Sequence, residues 1–211
     1  MQLILLAGGK SSRMGQPKGL MKISKDFWLL DQLASFHNSG GKRVTLVLGY
    51  DAEKYFQSFP WLENAKEKWI QKDGLGISVI KNSTPELGPF SSLICAWKFL
   101  KKENPSPVFL LPIDVPCPDK NVFDALNSEI SKKSLVCVPT LNNKGGHPVL
   151  LSKDFLDRLL EIAPEGPDAR LDRQISRLPD NQIKRVPVID KKILMNLNSP
   201  TCLHEKDGRH F

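Results

Sequence analysis

The fold is decided by the stretch LILLAGGKSSRMGQPK, residues 3–18. Its first four residues, Leu3–Leu6, form a short apolar run, which is typical of a strand buried on both faces. The glycines and polar residues that follow predict a tight connection at the carboxyl end of that strand. Ligands of open α/β sheets bind beyond this end of the strands, so a ligand site is expected at the loop.

The loop has the chemistry of a phosphate site. Gly8 and Gly9 allow the backbone to approach a phosphate closely, and successive N–H groups can form an anion-binding concavity. Arg13 and Lys18 add positive charge for the phosphate oxygens. The loop has neither the GxGxxG spacing of dinucleotide-binding turns nor the GxxxxGK[ST] spacing of a Walker A loop. Taken alone, the glycine pair also fits an ordinary strand-to-helix turn.

Beyond the loop, short apolar runs alternate with amphipathic ones. Further strands are predicted at Val44–Leu48, Ile77–Ile80, Val108–Leu111 and Leu135–Val138. Helices are predicted at about 26–38, 52–58, 91–102 and 119–132, the last with Asp119 as its N-cap. Strands that alternate with helices imply βαβ crossovers. The predicted fold class is therefore α/β, with three α/β/α layers around a mostly parallel, Rossmann-like sheet.

The pattern changes after about residue 140. We predict a strand at Gly146–Leu151, helices near 153–162 and 168–177, and an edge strand at Lys184–Val188, which contains a proline. Residues 60–74 form a locally packed excursion to which the sequence assigns no role. We expect one domain over residues 1–203, followed by a polar, loosely ordered tail over residues 204–211.

The bulk composition narrows the function classes. The formal net charge is +7, but 30 basic residues are interspersed with 23 acidic ones and form no aromatic-interleaved stripe. This pattern argues against nucleic acid and favours a small phosphorylated ligand. The four cysteines form no CxxC pair, which argues against zinc and a disulfide framework. The sequence shows no membrane-length apolar stretch and no secretory signal, so we predict a cytoplasmic location without a membrane partner.

The segment LAGGKSSRMGQPKG, residues 6–19, resembles the LAGGxSxRMGxxK motif of the MobA-like nucleotidyltransferases. These include molybdenum cofactor guanylyltransferases and cytidylyltransferases, and the resemblance implies a fold of the nucleotide-diphospho-sugar transferase type. It implies catalytic roles for Arg13 and Lys18. It also implies the following nucleotide-binding residues in the loop: Leu6, Ala7, Gly8, Gly9 and Lys18.

A second motif, Pro112-Ile113-Asp114-Val115-Pro116, follows the strongest apolar run. A carboxylate at the carboxyl end of a strand faces the ligand crevice, where a hard oxygen ligand can hold Mg²⁺ against phosphates. Without further information, an aspartate that caps the following turn is an equal alternative. Members of the resembled family carry Asp-x-Pro here, and their aspartate binds the metal. The resemblance therefore implies that Asp114 is a metal ligand with catalytic and nucleotide-binding roles.

A third segment, NSTPELGPFSSL at residues 82–93, resembles the region that family members place beside the base and ribose. The resemblance implies that Asn82, Gly88 and Pro89 bind the nucleotide. The chain departs from the family in two places here. Asn82 stands where an aspartate is common, and GPFSS replaces the usual GPLAG.

Two later segments resemble the acceptor side of the family. His147 lies in a Gly-Gly-His-Pro segment, and Asn196 and Asn198 lie in an Asn-x-Asn-Ser-Pro segment. The resemblance implies that these residues line the acceptor side, with Asn198 in indirect contact with the metal. A histidine of this kind is otherwise more often a hydrogen-bonded structural residue.

Together these motifs imply Mg²⁺-dependent transfer of an NMP moiety from a nucleoside triphosphate to a phosphorylated acceptor, with molybdopterin as the expected acceptor. Gly8, where the cytidylyl branch prefers alanine, favours GTP because a missing Cβ leaves room for a purine. Gln16-Pro17-Lys18 and Gly146-His147-Pro148 favour CTP instead. Two other readings stay open: a sugar-1-phosphate nucleotidyltransferase, and a non-catalytic nucleotide-binding protein on the same fold.

Overall fold

The computed structural model describes residues 1–11, 15–23, 26–105, 107–131 and 133–197. The strands in these ranges are β1 (Gln2–Ala7), β2 (Lys22–Ile23), β3 (Asp26–Phe27), β4 (Arg43–Leu48), β5 (Ile70–Lys72), β6 (Leu75–Lys81), β7 (Val108–Pro112), β8 (Val136–Leu141), β9 (Lys144–Gly145), β10 (Val149–Leu151) and β11 (Ile183–Pro187). The α-helices are α1 (Trp28–Asn38), α2 (Ala52–Ser58), α3 (Gly88–Leu100), α4 (Lys120–Glu129), α5 (Lys153–Leu159) and α6 (Leu171–Ser176).

One large sheet forms the centre of the described structure. Its strand order is β11-β8-β10-β7-β1-β4-β6-β5, and β9 pairs with β8. Within this order, the four strands β7, β1, β4 and β6 are parallel to one another. The carboxyl ends of parallel strands meet at one edge of a sheet, so the connections after β1, β6 and β7 converge there.

Side chains alternate between the two faces of β1 and divide the core into two halves. Leu3 and Leu5 pack with residues of α1, α2 and α4, whereas Ile4 packs on the other face with residues of α3 and α5. This alternation is what a strand buried on both faces requires. Helices therefore cover both faces of the sheet, and the predicted three-layer α/β/α class is confirmed.

The second half of the chain departs from a purely parallel pattern. The strand β10 is antiparallel to both β7 and β8, and it begins at Val149 instead of Gly146. The predicted edge strand β11 does lie at the end of the sheet, shifted one residue toward the N-terminus. Residues 60–74 form a 3₁₀ turn, Pro60–Ala65, and the edge strand β5, which pairs antiparallel with β6.

Several predicted helix ends were wrong by a few residues. The first helix begins at Trp28, because Asp26 and Phe27 pair in the short strand β3. Asp119 does occupy the N-cap position of α4, but its carboxylate accepts a hydrogen bond from Lys192 Nζ at 2.7 Å instead of capping the helix. Within the described ranges, no helix is long and apolar enough to cross a membrane.

Candidate active site

The loops at the carboxyl edge of the sheet enclose a pocket with a volume of about 450 Å³. It is lined by Leu6, Ala7, Gly8, Gly9, Lys10, Ser11, Lys18, Pro85, Gly88, Pro89, Ser92, Pro112, Ile113 and Asp114. Eight residues singled out by the sequence are thus brought together here, although they come from three separate segments of the chain. These eight are Leu6, Ala7, Gly8, Gly9, Lys18, Gly88, Pro89 and Asp114.

A partly buried ion pair joins the motif that contains Lys18 to the motif that contains Asp114. Lys18 Nζ donates to Asp114 Oδ2 at 3.0 Å, across 96 positions of sequence. The two side chains are only 15% and 28% exposed, so solvent screens the pair less than it screens a surface pair. A cation and a carboxylate that meet in a pocket can together hold a phosphate and a metal ion.

The position of Lys18 is set by the residues that follow and precede it. Lys18 begins a 3₁₀ turn, Lys18–Leu20, and Gly19 N–H donates to the buried Tyr55 hydroxyl at 3.1 Å. A Cβ at Gly19 would lie 2.6 Å from the same oxygen, so the turn can approach α2 only with glycine here. Lys18 N–H also donates to Ser11 Oγ at 3.3 Å, which links the turn to the glycine loop.

Asp114 is held by hydrogen bonds to its backbone and to its neighbours. Trp28 Nε1 on α1 donates to the carbonyl oxygen of Ile113 at 2.6 Å. The backbone N–H of Leu197, far along the chain, donates to the carbonyl oxygen of Asp114 at 2.7 Å. Gln32 Oε1 accepts from Cys117 N–H at 2.7 Å. The connection after β7 is therefore fixed on both sides of the carboxylate.

The two glycines of the loop have different structural surroundings. A Cβ at Gly8 would lie 3.3 Å from the backbone nitrogen of Gly49, which follows β4, whereas a Cβ at Gly9 would have no protein atom within 4 Å. The absent Cβ of Gly8 therefore accommodates the neighbouring loop. The missing Cβ of Gly8 thus faces protein instead of space for a purine, whereas Gly9 lines open space in the pocket.

Gly88 and Pro89 form the start of α3. Gly88 has φ +83° and ψ −171°, a backbone conformation that is essentially restricted to glycine. Pro89 stands in the first turn of the helix, where its missing N–H has no intrahelical partner to lose. This pair turns the chain sharply and presents the beginning of the helix to the pocket.

Asn82 lies behind the pocket wall and is only 1% exposed. Its Nδ2 donates to Ser91 Oγ at 2.8 Å and to Ser92 Oγ at 3.0 Å, and its Oδ1 accepts from Thr84 N–H at 3.0 Å. The two sequence departures of this region thus contact each other, because the asparagine requires the two serine hydroxyls as acceptors. Asn82 itself is not among the lining residues, whereas Ser92 is.

Two of the predicted acceptor-side residues, His147 and Asn196, lie near Asp114 but outside the lining of the pocket. His147 N–H donates to Ile193 O at 3.0 Å, and its buried Nδ1 has no partner among the described residues. Burial lowers the pKa of His147, outweighing a backbone hydrogen bond with Leu110 and the charge of Asp114. Asn196 is exposed and precedes Leu197.

Two predicted residues and the tail cannot be placed. Arg13 and Asn198 both lie outside the described residues, as does the segment 204–211. Within the described ranges, no group of three or more His, Cys, Asp or Glu side chains is arranged to hold a metal ion. A single carboxylate such as Asp114 is compatible with Mg²⁺, which is commonly held by one or two carboxylates together with phosphate oxygens and water.

Comparison with known families decides the relationship of this chain. The profile of the MobA-like NTP transferase domain matches residues 3–181, and these include the glycine loop and the Asp114 motif. The chain belongs to the MobA-like NTP transferase family. The resemblance seen in the sequence is thereby confirmed, and the chain is a member of a family of nucleotidyltransferases.

Two curated proteins that are similar to this chain are guanylyltransferases by name. A Thermococcus sibiricus (strain DSM 12597 / MM 739) protein, "Probable molybdenum cofactor guanylyltransferase", is 25% identical over 210 residues, covering 97% of this chain and 96% of the relative. The mannose-1-phosphate guanylyltransferase catalytic subunit beta of Drosophila pseudoobscura pseudoobscura is 30% identical over 120 residues. That match covers 54% of this chain and only 30% of the relative.

Solved structures of low identity share the fold of this family member. A nucleotidyl transferase from Methanothermobacter superposes with a TM-score of 0.72 at 15% identity, covering 97% of this chain and 94% of the other. A Mycobacterium tuberculosis H37Rv protein in complex with manganese superposes with a TM-score of 0.60 at 17% identity, covering 89% and 87%. At these identities the likeness establishes the architecture alone.

Sequence reasoning missed three residues that shape the site. The Tyr55 hydroxyl and the Trp28 indole nitrogen form hydrogen bonds with backbone atoms of other segments, at Gly19 and Ile113, so no local motif marks them. Ser92 was visible only as a departure from the usual GPLAG pattern. Its pairing with Asn82, ten positions earlier, would have been a reasonable signal, because a buried amide needs hydroxyl or carbonyl partners.

Proposed function

We propose that this protein transfers a guanylyl group from GTP to a phosphorylated acceptor, with Mg²⁺ held at Asp114 and with pyrophosphate as the leaving product. The observation that carries the proposal is the convergence of the glycine loop, Lys18 and Asp114 in one pocket. Nucleotidyl transfer depends on positioning and on neutralising charge more than on covalent chemistry. A pocket with these groups provides both.

The polar and apolar parts of the pocket fit the two ends of a nucleoside triphosphate. Lys10, Ser11 and Lys18 surround the glycine loop at one end, where an anion would be stabilised. Pro85 and Pro89 supply an apolar wall at the other, which suits a base. The strands that precede these two ends, β1 and β6, are two strand spacings apart, or about 10 Å at the usual spacing.

The donor set fits a magnesium ion that is shared with the substrate. Asp114 offers one carboxylate, and Mg²⁺ is commonly bound by one or two carboxylates together with phosphate oxygens and water. The named manganese complex of a structural neighbour supports a divalent cation in a protein of this fold. When bound, the metal would supply Lewis-acid neutralisation of charge on the phosphates.

In the proposed reaction, a phosphate oxygen of the acceptor attacks the α-phosphorus of GTP. A new phosphorus–oxygen bond forms, the bond to the β-phosphate oxygen breaks, and its electrons leave with pyrophosphate. The acceptor phosphate is already anionic at neutral pH, so the site needs no strong general base. Backbone N–H groups of Gly8 and Gly9 would orient the phosphates, and Lys18 would stabilise the charge that develops.

The choice of GTP and molybdopterin rests on the relatives and not on the glycine geometry. Both named relatives are guanylyltransferases, and the full-length match is to one that acts in molybdenum cofactor chemistry by name. The match to a mannose-1-phosphate guanylyltransferase supports a sugar 1-phosphate as the second candidate acceptor. Both acceptors present a phosphate monoester, so the same pocket chemistry would serve either.

Pyrophosphate release tests the proposal. The protein is incubated with GTP and Mg²⁺, and with molybdopterin, mannose 1-phosphate or no acceptor, while pyrophosphate is measured by a coupled assay. We expect release that requires both the metal and molybdopterin. Release with the sugar phosphate instead would assign the second candidate. No release with any acceptor, although GTP binds, would identify a nucleotide-binding protein without transferase activity.

A further inference from the structure

Ser92 gives the pocket a polar side chain at its apolar end. It is only 4% exposed, yet it lines the pocket together with Gly88 and Pro89. Gly88 and Ser92 are four residues apart in α3, so they lie on the same face of the helix, one turn apart. A single hydroxyl on an otherwise apolar wall is the kind of group that orients a bound ligand.

The amide of Asn82 controls this hydroxyl from behind. Thr84 N–H lies 3.0 Å from Oδ1 of Asn82, and a backbone N–H can only donate. The atom that faces Thr84 is therefore the amide oxygen, which fixes the orientation of the whole amide group. The opposite atom, Nδ2, then donates to Ser91 Oγ at 2.8 Å and to Ser92 Oγ at 3.0 Å.

The two serine hydroxyls use their hydrogens differently. Ser91 Oγ donates to the carbonyl oxygen of Gly88 at 2.8 Å, so its hydrogen is already used inside the protein. Ser92 Oγ accepts from Asn82, and among the described residues no acceptor is placed to receive its own hydrogen. A buried hydroxyl with its acceptor side satisfied is thus left as a donor at the wall of the pocket.

We propose that Ser92 donates a hydrogen bond to a neutral oxygen of the nucleoside, either a base carbonyl or a ribose hydroxyl. Asn82 is the positioning residue that sets the direction of this bond. The inference rests on the proposed function, which it deepens by naming a residue that selects the nucleoside. An aspartate at position 82 would accept from both hydroxyls and would turn the hydrogen of Ser92 away from the pocket.

Binding of GTP with Mg²⁺, measured by isothermal titration calorimetry without an acceptor, tests the proposal. Ser92→Ala is expected to weaken binding about fivefold, the usual net value of one neutral hydrogen bond. Asn82→Asp is expected to weaken it similarly, and the double variant no further than either single change. Ser134→Ala is the matched control, because Ser134 is also buried, at 1% exposure, and lies outside the pocket lining.

The nucleotide distinguishes the two acceptor oxygens. If the effect of Ser92→Ala disappears with 2′,3′-dideoxy-GTP, the hydroxyl binds the ribose, and if it persists, the hydroxyl binds the base. If Asn82→Asp does not fold, as judged by circular dichroism, Asn82→Ala takes its place, since it removes both donors without burying a charge. It should weaken GTP binding, because Ser92 Oγ then loses the donor that sets the direction of its own hydrogen.

Three results would overturn the inference in different ways. GTP binding by the wild type together with unchanged binding by Ser92→Ala would remove Ser92 from the site and leave the proposed function intact. Additive effects of the two single changes in the double variant would show that Asn82 does not act through Ser92. A wild-type protein that binds no GTP would overturn the proposed function and this inference with it.

Discussion

At the scale of single residues, the account depends on the charges of Lys18 and Asp114. Asp114→Asn preserves the shape of the side chain but removes the charge that pairs with Lys18 and would hold a metal. We expect Mg²⁺-dependent turnover to fall by about 10²-fold or more, comparable to the loss of one strong electrostatic group elsewhere. The measurement is steady-state pyrophosphate release at saturating GTP.

Asp119→Asn is the matched control for that change. Asp119 lies in the same connection between β7 and α4, but its carboxylate pairs with Lys192 and lies outside the pocket lining. We expect its turnover to stay within about twofold of the wild type, because an exposed pair contributes little. Near-normal activity of Asp114→Asn would refute the metal assignment.

The pKa of His147 gives a prediction about pH. Because burial lowers it from the ordinary value of 6.5, the unfolded chain takes up a proton near pH 6.5 that the folded protein resists. The contribution of neutral His147 to the free energy of unfolding should therefore be fully present above about pH 6.5 and be lost as the pH falls below it. His147→Gln should reduce this pH dependence, measured by urea unfolding over a pH series. Equal slopes for both proteins would contradict the buried, neutral state of the ring.

At the scale of elements, substitutions at two glycines, Gly49 and Gly9, distinguish an effect on stability from an effect on ligand binding. A Cβ at Gly49 would collide with the carbonyl of Gly8 and lie 2.8 Å from its Cα, whereas a Cβ at Gly9 meets no protein atom within 4 Å. Gly49→Ala should therefore lower the melting temperature. Gly9→Ala should leave it nearly unchanged and still weaken GTP binding, because the added methyl group projects into the space assigned to phosphates.

Thermal unfolding with and without GTP measures both effects of the glycine changes. A Gly9→Ala protein that binds GTP like the wild type would show that the phosphates do not approach the loop at this residue. A Gly49→Ala protein of unchanged stability would show that the loops after β1 and β4 are not tightly packed.

The contact between α2 and the turn at Lys18 is a second test at this scale. Tyr55→Phe removes the oxygen that accepts from Gly19 N–H at 3.1 Å in a buried place. Leaving that N–H without a partner should lower the free energy of unfolding by about 1–3 kcal/mol. It should also weaken GTP binding, because the turn that carries Lys18 is held less firmly. Tyr50→Phe is the control, since Tyr50 is 46% exposed.

At the scale of the whole molecule, the sequence predicted the layered α/β class and the edge of the sheet that carries the site. Both follow from strong local signals: apolar strands separated by amphipathic helices, and glycines directly after the first strand. Helix ends were less accurate, because they depend on contacts such as the pairing of β2 with β3, which moves the start of α1 to Trp28. The antiparallel direction of β10 likewise has no local signature.

Residues of the candidate site were predictable where they belong to a sequence motif. They were not predictable where only the tertiary structure brings them to the site. Gly8, Lys18 and Asp114 belong to ordered motifs, and the fold places them in one pocket. The missing Cβ of Gly8 faces the loop at Gly49, some forty residues away, and a local motif does not reveal such a neighbour. Asn82 was expected at the nucleotide, but its side chain supports Ser92 from behind.

The central claim is that the pocket at the carboxyl edge of the sheet binds a nucleoside triphosphate with a divalent cation. A thermal-shift panel of GTP, CTP, UTP and ATP with Mg²⁺ tests it most directly, because a ligand that binds the native state raises its melting temperature. The account predicts the largest increase with GTP, and a smaller one when Lys18 is replaced by alanine. An unchanged melting temperature with all four nucleotides would contradict it.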